Sequence, residues 1–511
     1  LGGMYANRIH LVSSDKGVGV NLGNLSARQG DITLDASGKL VLNNSLSGGA
    51  LAVKAQSAEL SGDNKATGAA AVTAQNGIAL KQGSLVSDKT VSLDAGDRLD
   101  ITSGKITAGE TVRLTGTGLA IDKASTADAA GAIVLNAQGG GLNNAGQLTA
   151  GQALTISSGT VSNSGTLAAK GHLDATGTHI DNQGTVQGGS VTLKSDTLRN
   201  SGTLQSAGAL ALSGRSLTQS GTLGAGGDAA LSFDDSIQNR GSVLVDGALE
   251  TTTGDLVQDG TLSGRKGVTA KSDTLSSGKG AQTVSEGDVT LNAGRSADIA
   301  GEVNAGGLLA LNSDTLKTYS PARLQGKNID LQAGQAELNG TQAAKQALNV
   351  GADTLTHGGK TSAARMTLNA AGTLNNGGTF SATDLALSSD DIINSGLLQG
   401  TGSLSLEADS LDNRASGSIY TPGDLALSLP DFTNSGLLST GGQLQLGGNS
   451  LINSGEINAA ALRSDYASLN NLAGGRLLAT GGMQLTHARL DNLGQITAGQ
   501  LNLNAGTLTN R

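Results

Sequence analysis

The sequence predicts an all-β fold: a right-handed parallel β-helix, or solenoid, of roughly 25 coils with a period of about 19–20 residues. Three observations support this prediction. A signature of the form apolar-x-Asn-x-Gly-x-apolar recurs along the chain at this period. Apolar and polar residues alternate within each repeat, which is the period of a strand. The 511 residues include 78 Gly, 3 Pro and only 1% aromatic residues, too few rings for a large globular core.

The third position of the signature forms a column along the sequence. Its first clear members lie in Leu142–Leu148 and Val161–Leu167. We expect these side chains to point inward and to hydrogen-bond to one another along the axis, because buried amides need partners. The alternative is an exposed row of amides that binds a ligand. The column contains Asn144, Asn163, Asn182, Asn200, Gln219, Asn239 and Gln258, and then His357, Asn376, Asn394, Asn413, Asn434, Asn453, Asn471, Asn492 and Asn510.

Three short strands joined by turns account for one coil. In the coil that begins at Val161, inward positions continue through Leu167, and turns are expected at Lys170-Gly171 and Thr176-Gly177. The signature Gly, two residues after the Asn, is expected to permit a bend or an unusual φ that a Cβ would forbid.

The clarity of the signature divides the chain. Residues 1–141 are predicted to be N-terminal β-helix coils that follow a secretion domain absent from this sequence. Residues 142–511 carry the signature, which is degenerate at 262–355. The register breaks near Thr318–Pro321, near Asn413–Gly417 and after Asn471, where we expect surface loops. Tyr319, Tyr420 and Tyr466 lie close to breaks and are candidate partner contacts. The alternative is that these rings shield a sheet edge.

Composition and charge argue against several function classes. The net charge of −9 is spread without a basic stripe, so no nucleic-acid partner is expected. No apolar stretch is long enough to span a bilayer, and the chain has no Cys. The five histidines are not spaced as metal ligands.

A second column is acidic. Its residues could bind Ca²⁺ or act as general acid and base. A simpler interpretation is that they are turn residues whose side chains hydrogen-bond to their own backbone. We therefore predict no catalytic residue, no metal and no cofactor, and expect that the protein is not an enzyme. The acidic column contains Asp196, Asp273, Asp314, Asp353, Asp390 and Asp409.

The opening of the chain adds a more specific signal. It contains Gly2-Gly3-Met4-Tyr5-Ala6-Asn7-Arg8-Ile9, followed by Lys16-Gly17-Val18-Gly19-Val20-Asn21-Leu22-Gly23. With the repeats, these segments resemble the repeat region of the filamentous haemagglutinin family. That family includes FHA-like adhesins and the CdiA-type effectors of contact-dependent growth inhibition.

The resemblance implies a two-partner-secreted exoprotein on the surface of a Gram-negative bacterium. Its partners would be an outer-membrane β-barrel transporter during export and a receptor on a bacterial or host cell. We expect this chain to be a piece of a longer protein, forming a stalk that projects a distal receptor-binding region and toxin. The alternative is an adhesin segment that binds host glycans or receptors. A third class, a polysaccharide-cleaving β-helix enzyme, would need carboxylates clustered on adjacent coils.

Overall fold

The computed structural model describes residues 3–15 and 17–511. Gly2 and Lys16, which belong to the opening segments quoted above, lie outside the described residues, as does Leu1. The described residues form 53 β-strands and no helix, in a parallel solenoid of about 27 turns, or coils. The predicted all-β parallel solenoid is confirmed, with slightly more coils than expected. The chain divides into two compact units, residues 1–254 (unit 1) and 255–511 (unit 2).

The strands of unit 1 are mostly short, and some continue through a corner of the coil to become longer. The last strand in this series contains the division at residue 254. They are β1 Met4–Ala6, β2 Ile9–Ser13, β3 Val20–Ala27, β4 Ile32–Ala36, β5 Lys39–Ser47, β6 Leu51–Ala55, β7 Ser57–Ala66, β8 Ala70–Ala74, β9 Ile78–Ser87, β10 Val91–Ala95, β11 Arg98–Thr102, β12 Lys105–Ala108, β13 Val112–Thr115, β14 Gly118–Ile121, β15 Thr126–Ala129, β16 Ile133–Asn136, β17 Gly141–Asn144, β18 Gln147–Ala150, β19 Leu154–Ser157, β20 Thr160–Asn163, β21 Thr166–Ala169, β22 His172–Asn182, β23 Thr185–Gly188, β24 Ser190–Asn200, β25 Thr203–Ser206, β26 Leu210–Gln219, β27 Thr222–Ala225, β28 Ala229–Asn239, β29 Ser242–Val245 and β30 Ala248–Gln258.

The strands of unit 2 include longer ones, in which a single strand bends through the corners of a coil. They are β31 Thr261–Gly264, β32 Gly267–Ser277, β33 Gln282–Ser285, β34 Asp288–Ile299, β35 Glu302–Ala305, β36 Leu308–Thr318, β37 Arg323–Leu338, β38 Thr341–His357, β39 Lys360–Asn376, β40 Thr379–Asn394, β41 Leu397–Glu407, β42 Ser410–Asn413, β43 Ser418–Thr421, β44 Leu425–Ser428, β45 Asp431–Asn434, β46 Leu437–Thr440, β47 Gln443–Gly447, β48 Ser450–Asn453, β49 Glu456–Ala459, β50 Ala461–Ser464, β51 Ser468–Asn471, β52 Arg476–Asn492 and β53 Gln495–Asn510.

Three strands close a coil where the strands are short. β17 pairs with β20, β18 with β21 and β19 with β22, each in parallel register. The register places like residues over one another, as with Leu148 over Leu167 and Leu167 over Val186, all buried. The core is therefore a column of aliphatic side chains, and each coil covers the apolar surface of its neighbours.

The N-terminal coils make one corner in a different way. In β3, β5, β7 and β9 the strand continues through the bend with one residue in the left-handed region, and Ser103 occupies this position one coil later. Asn and Gly tolerate this conformation best. The signature is looser before residue 142 partly because this bend differs from the Asn-x-Gly corner. The left-handed residues are Asn24 (φ 56°), Asn44 (φ 61°), Gly62 (φ 61°), Gln82 (φ 48°) and Ser103 (φ 49°).

At the predicted register breaks near 318–321 and 413–417 the chain makes tight turns of four residues. Ala322 N–H donates to the Tyr319 carbonyl (2.8 Å), and Gly417 N–H donates to the Arg414 carbonyl (2.7 Å). Each turn closes on itself, so the extra residues leave the strand register intact on both sides. Within residues 3–15 and 17–511, no helix is long and apolar enough to cross a membrane.

Candidate functional site

The amide column is an interior ladder of hydrogen bonds in unit 1. Asn144 Nδ2 donates to Asn163 Oδ1 (2.8 Å), and Asn163 donates to Asn182 in the same way (2.8 Å). The series continues through Asn200 (2.7 Å) to the Oε1 atom of Gln219 (2.8 Å). These side chains are at most 1% exposed, so each amide depends on the coil next to it for a partner.

The ladder of unit 2 is longer. It begins at His357, whose Nδ1 lies 2.8 Å from Asn376 Oδ1. Every following link joins Nδ2 of one Asn to Oδ1 of the next, and the links remain short where the spacing widens to 21 residues. The Asn members are Asn376, Asn394, Asn413, Asn434, Asn453, Asn471, Asn492 and Asn510, with links of 2.7–2.9 Å. For Asn239, which the sequence also assigns to the column, the structure places the side chain in the interior.

The signature glycines are required by close approach of neighbouring coils. A Cβ placed on Gly165 would lie 2.1 Å from the Gly146 carbonyl oxygen, and one on Gly184 would lie 2.1 Å from that of Gly165. In unit 2, a Cβ on Gly455 would lie 2.1 Å from the Gly436 oxygen. These glycines do not have a left-handed φ. Of the two expected alternatives, the unusual φ is therefore wrong, whereas the bend is present at each of these glycines. A Cβ is forbidden there because backbone stacks on backbone.

A set of aspartates that the sequence analysis missed also joins neighbouring coils. Each accepts a backbone N–H through Oδ1 from the following coil, and the donor residue directly follows a glycine that packs on the carboxylate. An Asp followed one coil later by a Gly just before the donor is the signal that could have found them. The pairs are Asp31 with Ala50 (2.8 Å), Asp228 with Ala248 (2.9 Å), Asp288 with Leu308 (2.7 Å) and Asp424 with Gln443 (2.7 Å).

The acidic column predicted from the sequence lies on the surface. All six of its carboxylates are exposed, and Asp273 has Arg295 at 3.9 Å. Across the described part of the chain, no group of three or more His, Cys, Asp or Glu side chains is arranged to hold a metal ion.

Ion pairs on the surface also join residues of neighbouring coils. Glu59 lies between Lys39 (2.9 Å) and Lys81 (3.5 Å), which stand one coil before and one coil after it. The hydrogen bond from Lys39 lowers the pKa of Glu59. In unit 2, Lys317 and Glu337 pair at 3.0 Å. Exposed pairs of this kind contribute little to stability, because solvent screens the attraction between the charges.

The three tyrosines have different environments. Tyr319 is 40% exposed; its hydroxyl donates to Asp298 Oδ1 (3.1 Å), and Lys317 Nζ lies 5.3 Å from the ring centroid. Tyr420 is 37% exposed on the outer face of β43, between Gln399 and Ser439 on the adjacent coils.

Tyr466 is 0% exposed, so its expected role as an exposed partner contact is wrong. The ring packs over Gly448, where a Cβ would lie 2.6 Å from Tyr466 Cε1. The missing side chain at Gly448 leaves the space that the ring fills. Burial raises the pKa of the Tyr466 hydroxyl.

An open groove of about 650 Å³ runs over adjacent coils of unit 2. One side carries Asn312, Gln332 and Asn369, which follow one another in the strand register with Gly351 between the last two. The other side carries Asp314 and Asp353. The groove therefore offers amide and carboxylate groups to solvent.

Comparison with known families identifies one repeat. The model of the haemagglutinin repeat matches residues 2–44, 45–137, 128–214, 261–318 and 453–511, together more than half of the chain. The match at 261–318 lies in the stretch where the signature is degenerate. The strand period is therefore preserved where the Asn-x-Gly motif is not.

Among curated proteins, the chain is 42% identical over 371 residues to "tRNA nuclease CdiA" of Escherichia coli (strain STEC_O31), covering 72% of this chain and 11% of that relative. It is 35% identical to "16S rRNA endonuclease CdiA" of Enterobacter cloacae over 567 aligned positions, covering 99% of this chain and 17% of the relative. The chain thus spans less than a fifth of the length of these relatives. No solved structure matches it significantly.

Proposed function

Because this chain belongs to the haemagglutinin-repeat family, we propose that it is a stalk segment of a two-partner-secreted surface exoprotein. It is exported through an outer-membrane β-barrel transporter and folds on the surface of a Gram-negative cell. There it holds a distal receptor-binding region and a toxin, as in contact-dependent growth inhibition, away from that cell. The nuclease activities in the relatives' names belong to those proteins, and this segment itself is not an enzyme.

The observation that carries this proposal is the repeated coupling of one coil to the next. In each unit the interior amides, the stacked glycines and the parallel strand register repeat coil after coil. Such repetition resists bending and needs no single pocket, because each coil is stabilised mainly by its two neighbours. The twelve Asn side chains predicted for the ladder therefore have a structural role in this proposal.

Removing whole coils from the full-length exoprotein tests the stalk role. Deletion of residues 435–471 removes two coils and joins Asn434 to the turn that follows Asn471. We expect normal surface display and retained growth inhibition, with a filament about 10 Å shorter, because coils stack about 4.8 Å apart.

Deletion of residues 435–462, about one and a half coils, is the matched control. It brings strands of unlike register together and should abolish display. Loss of target-cell binding after the two-coil deletion, with display intact, would contradict a passive stalk and favour direct recognition by these coils.

The second candidate is an adhesin segment, favoured by the groove at Asn312–Asn369 and by the exposed rings of Tyr319 and Tyr420. Amides, carboxylates and tyrosine hydroxyls suit the hydroxyl groups of a glycan.

Labelled chain spanning residues 1–511, with its folding verified, is incubated with epithelial cells and with susceptible bacteria. Saturable binding that is lost in a Y319A/Y420A variant supports this role, and absence of binding to both cell types rejects it.

A further inference from the structure

The ladder of unit 2 begins in an unusual polar network. In the coil of Leu338 and Gln342 the amide and apolar positions of the signature are exchanged, and in the next coil both positions are polar. Leu338 occupies an amide position, while Gln342 and Thr361 occupy the final apolar position in successive coils. The polar column therefore crosses the corner of the coil, and His357 makes the connection to Asn376.

The network is continuous and buried. Gln342 Nε2 lies 3.2 Å from Thr318 Oγ1, and Gln342 Oε1 lies 2.7 Å from Thr361 Oγ1. His357 Nε2 is 3.0 Å from the same Thr361 oxygen. The imidazole is 1% exposed and stacks on Phe380, with ring centroids 3.8 Å apart.

Counting protons fixes one tautomer. Asn376 Nδ2 donates to Asn394, so its Oδ1 is the acceptor that faces His357, and His357 Nδ1 must carry a proton. In a neutral imidazole, Nε2 then accepts the hydroxyl proton of Thr361. Thr361 Oγ1 then accepts from the amide group of Gln342, whose carbonyl accepts from the Thr318 hydroxyl. This amide orientation is the flip of the one the structure records, in which Gln342 Nε2 donates to Thr318 and Gln342 Oε1 accepts from Thr361.

A protonated imidazole reverses this chain. Nε2–H now donates to Thr361, the Thr361 hydroxyl donates to the Gln342 carbonyl, and the Gln342 amide donates to Thr318. The two states differ by one proton and by a flip of the Gln342 amide that exchanges its nitrogen and oxygen, and both make all four hydrogen bonds. Amide nitrogen and oxygen are nearly the same size, so the surrounding core need not move.

We propose that unit 2 contains a proton-operated joint, formed by Thr318, Gln342, Thr361, His357 and Asn376. Uptake of one proton by His357 reverses the hydrogen-bond network and weakens the coils from Leu338 to Asn376 relative to the rest of unit 2. The weakening follows because the charge would lie among apolar groups, satisfied by hydrogen bonds but without a counter-ion. Of the charged residues on the neighbouring strand ends, Glu337 pairs with Lys317 on the outer face and Lys360 is exposed.

The titration of the ring agrees with this geometry. Burial lowers the pKa of His357 to about 4, and the hydrogen bond to Asn376 opposes that shift. An opened coil exposes an ordinary histidine, which takes up its proton near a pH of about 6.5. Acid between these two values therefore favours the opened form. The joint would operate in a stalk and in an adhesin alike.

Hydrogen exchange of the chain spanning residues 1–511 tests the proposal. Backbone amides of residues 338–361 are compared at pH 7.5 and pH 5.0, after correction for the intrinsic exchange rate. We expect protection there to fall about 30-fold at pH 5.0, because that pH lies about 1.5 units below the pKa of an exposed histidine while the buried ring is still mostly neutral. Protection should fall much less in the coils from Asn413 to Asn453. Equal protection at both pH values would overturn the proposal.

Two variants isolate the histidine. H357N places the usual ladder amide at this position and should abolish the effect of pH on residues 338–361. H487Q alters the other buried histidine, whose Nδ1 contacts the Tyr466 carbonyl (2.7 Å), and should leave that effect unchanged. A pH effect that persists in H357N contradicts the joint.

A measurement on the wild-type chain keeps the test valid if H357N folds poorly. In ¹³C- and ¹⁵N-histidine-labelled protein, the His357 signal is assigned by replacing the other four histidines one at a time. It should show the Nδ1–H tautomer and a midpoint near a pH of about 4, and a midpoint near the ordinary value of about 6.5 would overturn the proposal.

Discussion

The interior amides show how a single residue type can couple coils. Between the ends of a ladder, an Asn donates to the next coil and accepts from the previous one. Its Nδ2 also approaches carbonyls at the corner, as Asn434 Nδ2 does at Gly436 (3.2 Å). A hydrophobic side chain of similar size would fill the space. It would, however, leave two polar atoms without a hydrogen-bond partner, one on each neighbouring coil. The penalty for leaving those atoms unpaired exceeds the net gain from any one hydrogen bond.

Replacement of Asn471 by Leu tests this at one residue. The change leaves Asn453 Nδ2 and Asn492 Oδ1 without their ladder partner. We expect a loss of about 2–4 kcal/mol in the free energy of unfolding, measured by urea denaturation followed by circular dichroism. Asn470→Leu is the control, because Asn470 is half-buried on the outer face and should change stability by less than about 1 kcal/mol. Equal effects of the two changes would contradict the ladder's contribution.

The buried His357 gives stability a defined dependence on pH. Its folded pKa of about 4 lies below the unfolded value of about 6.5. The unfolded chain therefore binds more protons between these values. The stability due to neutral His357 is fully present above a pH of about 6.5 and is lost as the pH falls toward about 4.

We expect this histidine to account for a loss of about 3 kcal/mol between pH 7.5 and pH 4. Denaturation of wild type and H357N at both pH values isolates it, because carboxylates titrate alike in the two proteins. A wild-type loss no larger than that of H357N would show that the ring is not titrating as described.

At the scale of the element, the corner after each ladder strand depends on glycine. The strand end carries the Asn, and the chain then turns against the backbone of the preceding coil. At Gly455 the nearest atom to a hypothetical Cβ is a carbonyl oxygen, which cannot rotate aside as a side chain would. The corner can therefore keep its spacing only if the residue has no side chain.

Gly455→Ala should accordingly destabilise unit 2 by about 2–3 kcal/mol, since adjacent backbones must separate. Gly482→Ala is the matched control in the same unit, because a Cβ there meets no atom within 4 Å. Thermal unfolding followed by circular dichroism compares the two variants. Comparable melting temperatures for both would show that the neighbouring coil yields more easily than the geometry indicates.

At the scale of the whole molecule, coil-on-coil coupling suggests how folding proceeds. A solenoid can propagate from a folded end, since each new coil finds its partner already in place. We propose that such propagation on the cell surface helps to draw the chain through its transporter. Interrupting one inter-coil bond should then stop folding beyond it.

Glu456→Pro in the full-length exoprotein tests this idea. Glu456 N–H donates to the Gly436 carbonyl of the preceding coil (2.8 Å), and Pro has no N–H. We expect surface display of the region beyond residue 456 to fall at least about fivefold, measured by antibody labelling of intact cells. Glu456→Ala also removes the ion pair with Arg476 but keeps the N–H, and it should display normally. Normal display of the proline variant would refute assisted export by folding.

The period, the strand alternation and the position of the amide column could all be predicted from the amino-acid sequence. Each of these is a local pattern that recurs once per coil, and a weak pattern can be recognised when it is repeated many times. The family followed from the same repeats together with the opening segments. The signature failed to track the coils at 262–355 because other residues there make the corner. The strands nevertheless stay paired in parallel, with local register shifts between neighbouring coils.

The contacts that each residue makes with the neighbouring coil became visible only in the folded molecule. Four features depend on the residue that lies at the same position of the neighbouring coil. They are the carbonyl that packs against Gly165, the space beside Gly448 that the Tyr466 ring fills, the aspartates that accept N–H groups of the following coil, and the crossing of the polar column at Gln342. That partner lies about one full coil away along the chain, at a spacing that changes with every insertion. Contacts between coils are therefore long-range in sequence, and their physical consequences appear only when the coils are stacked.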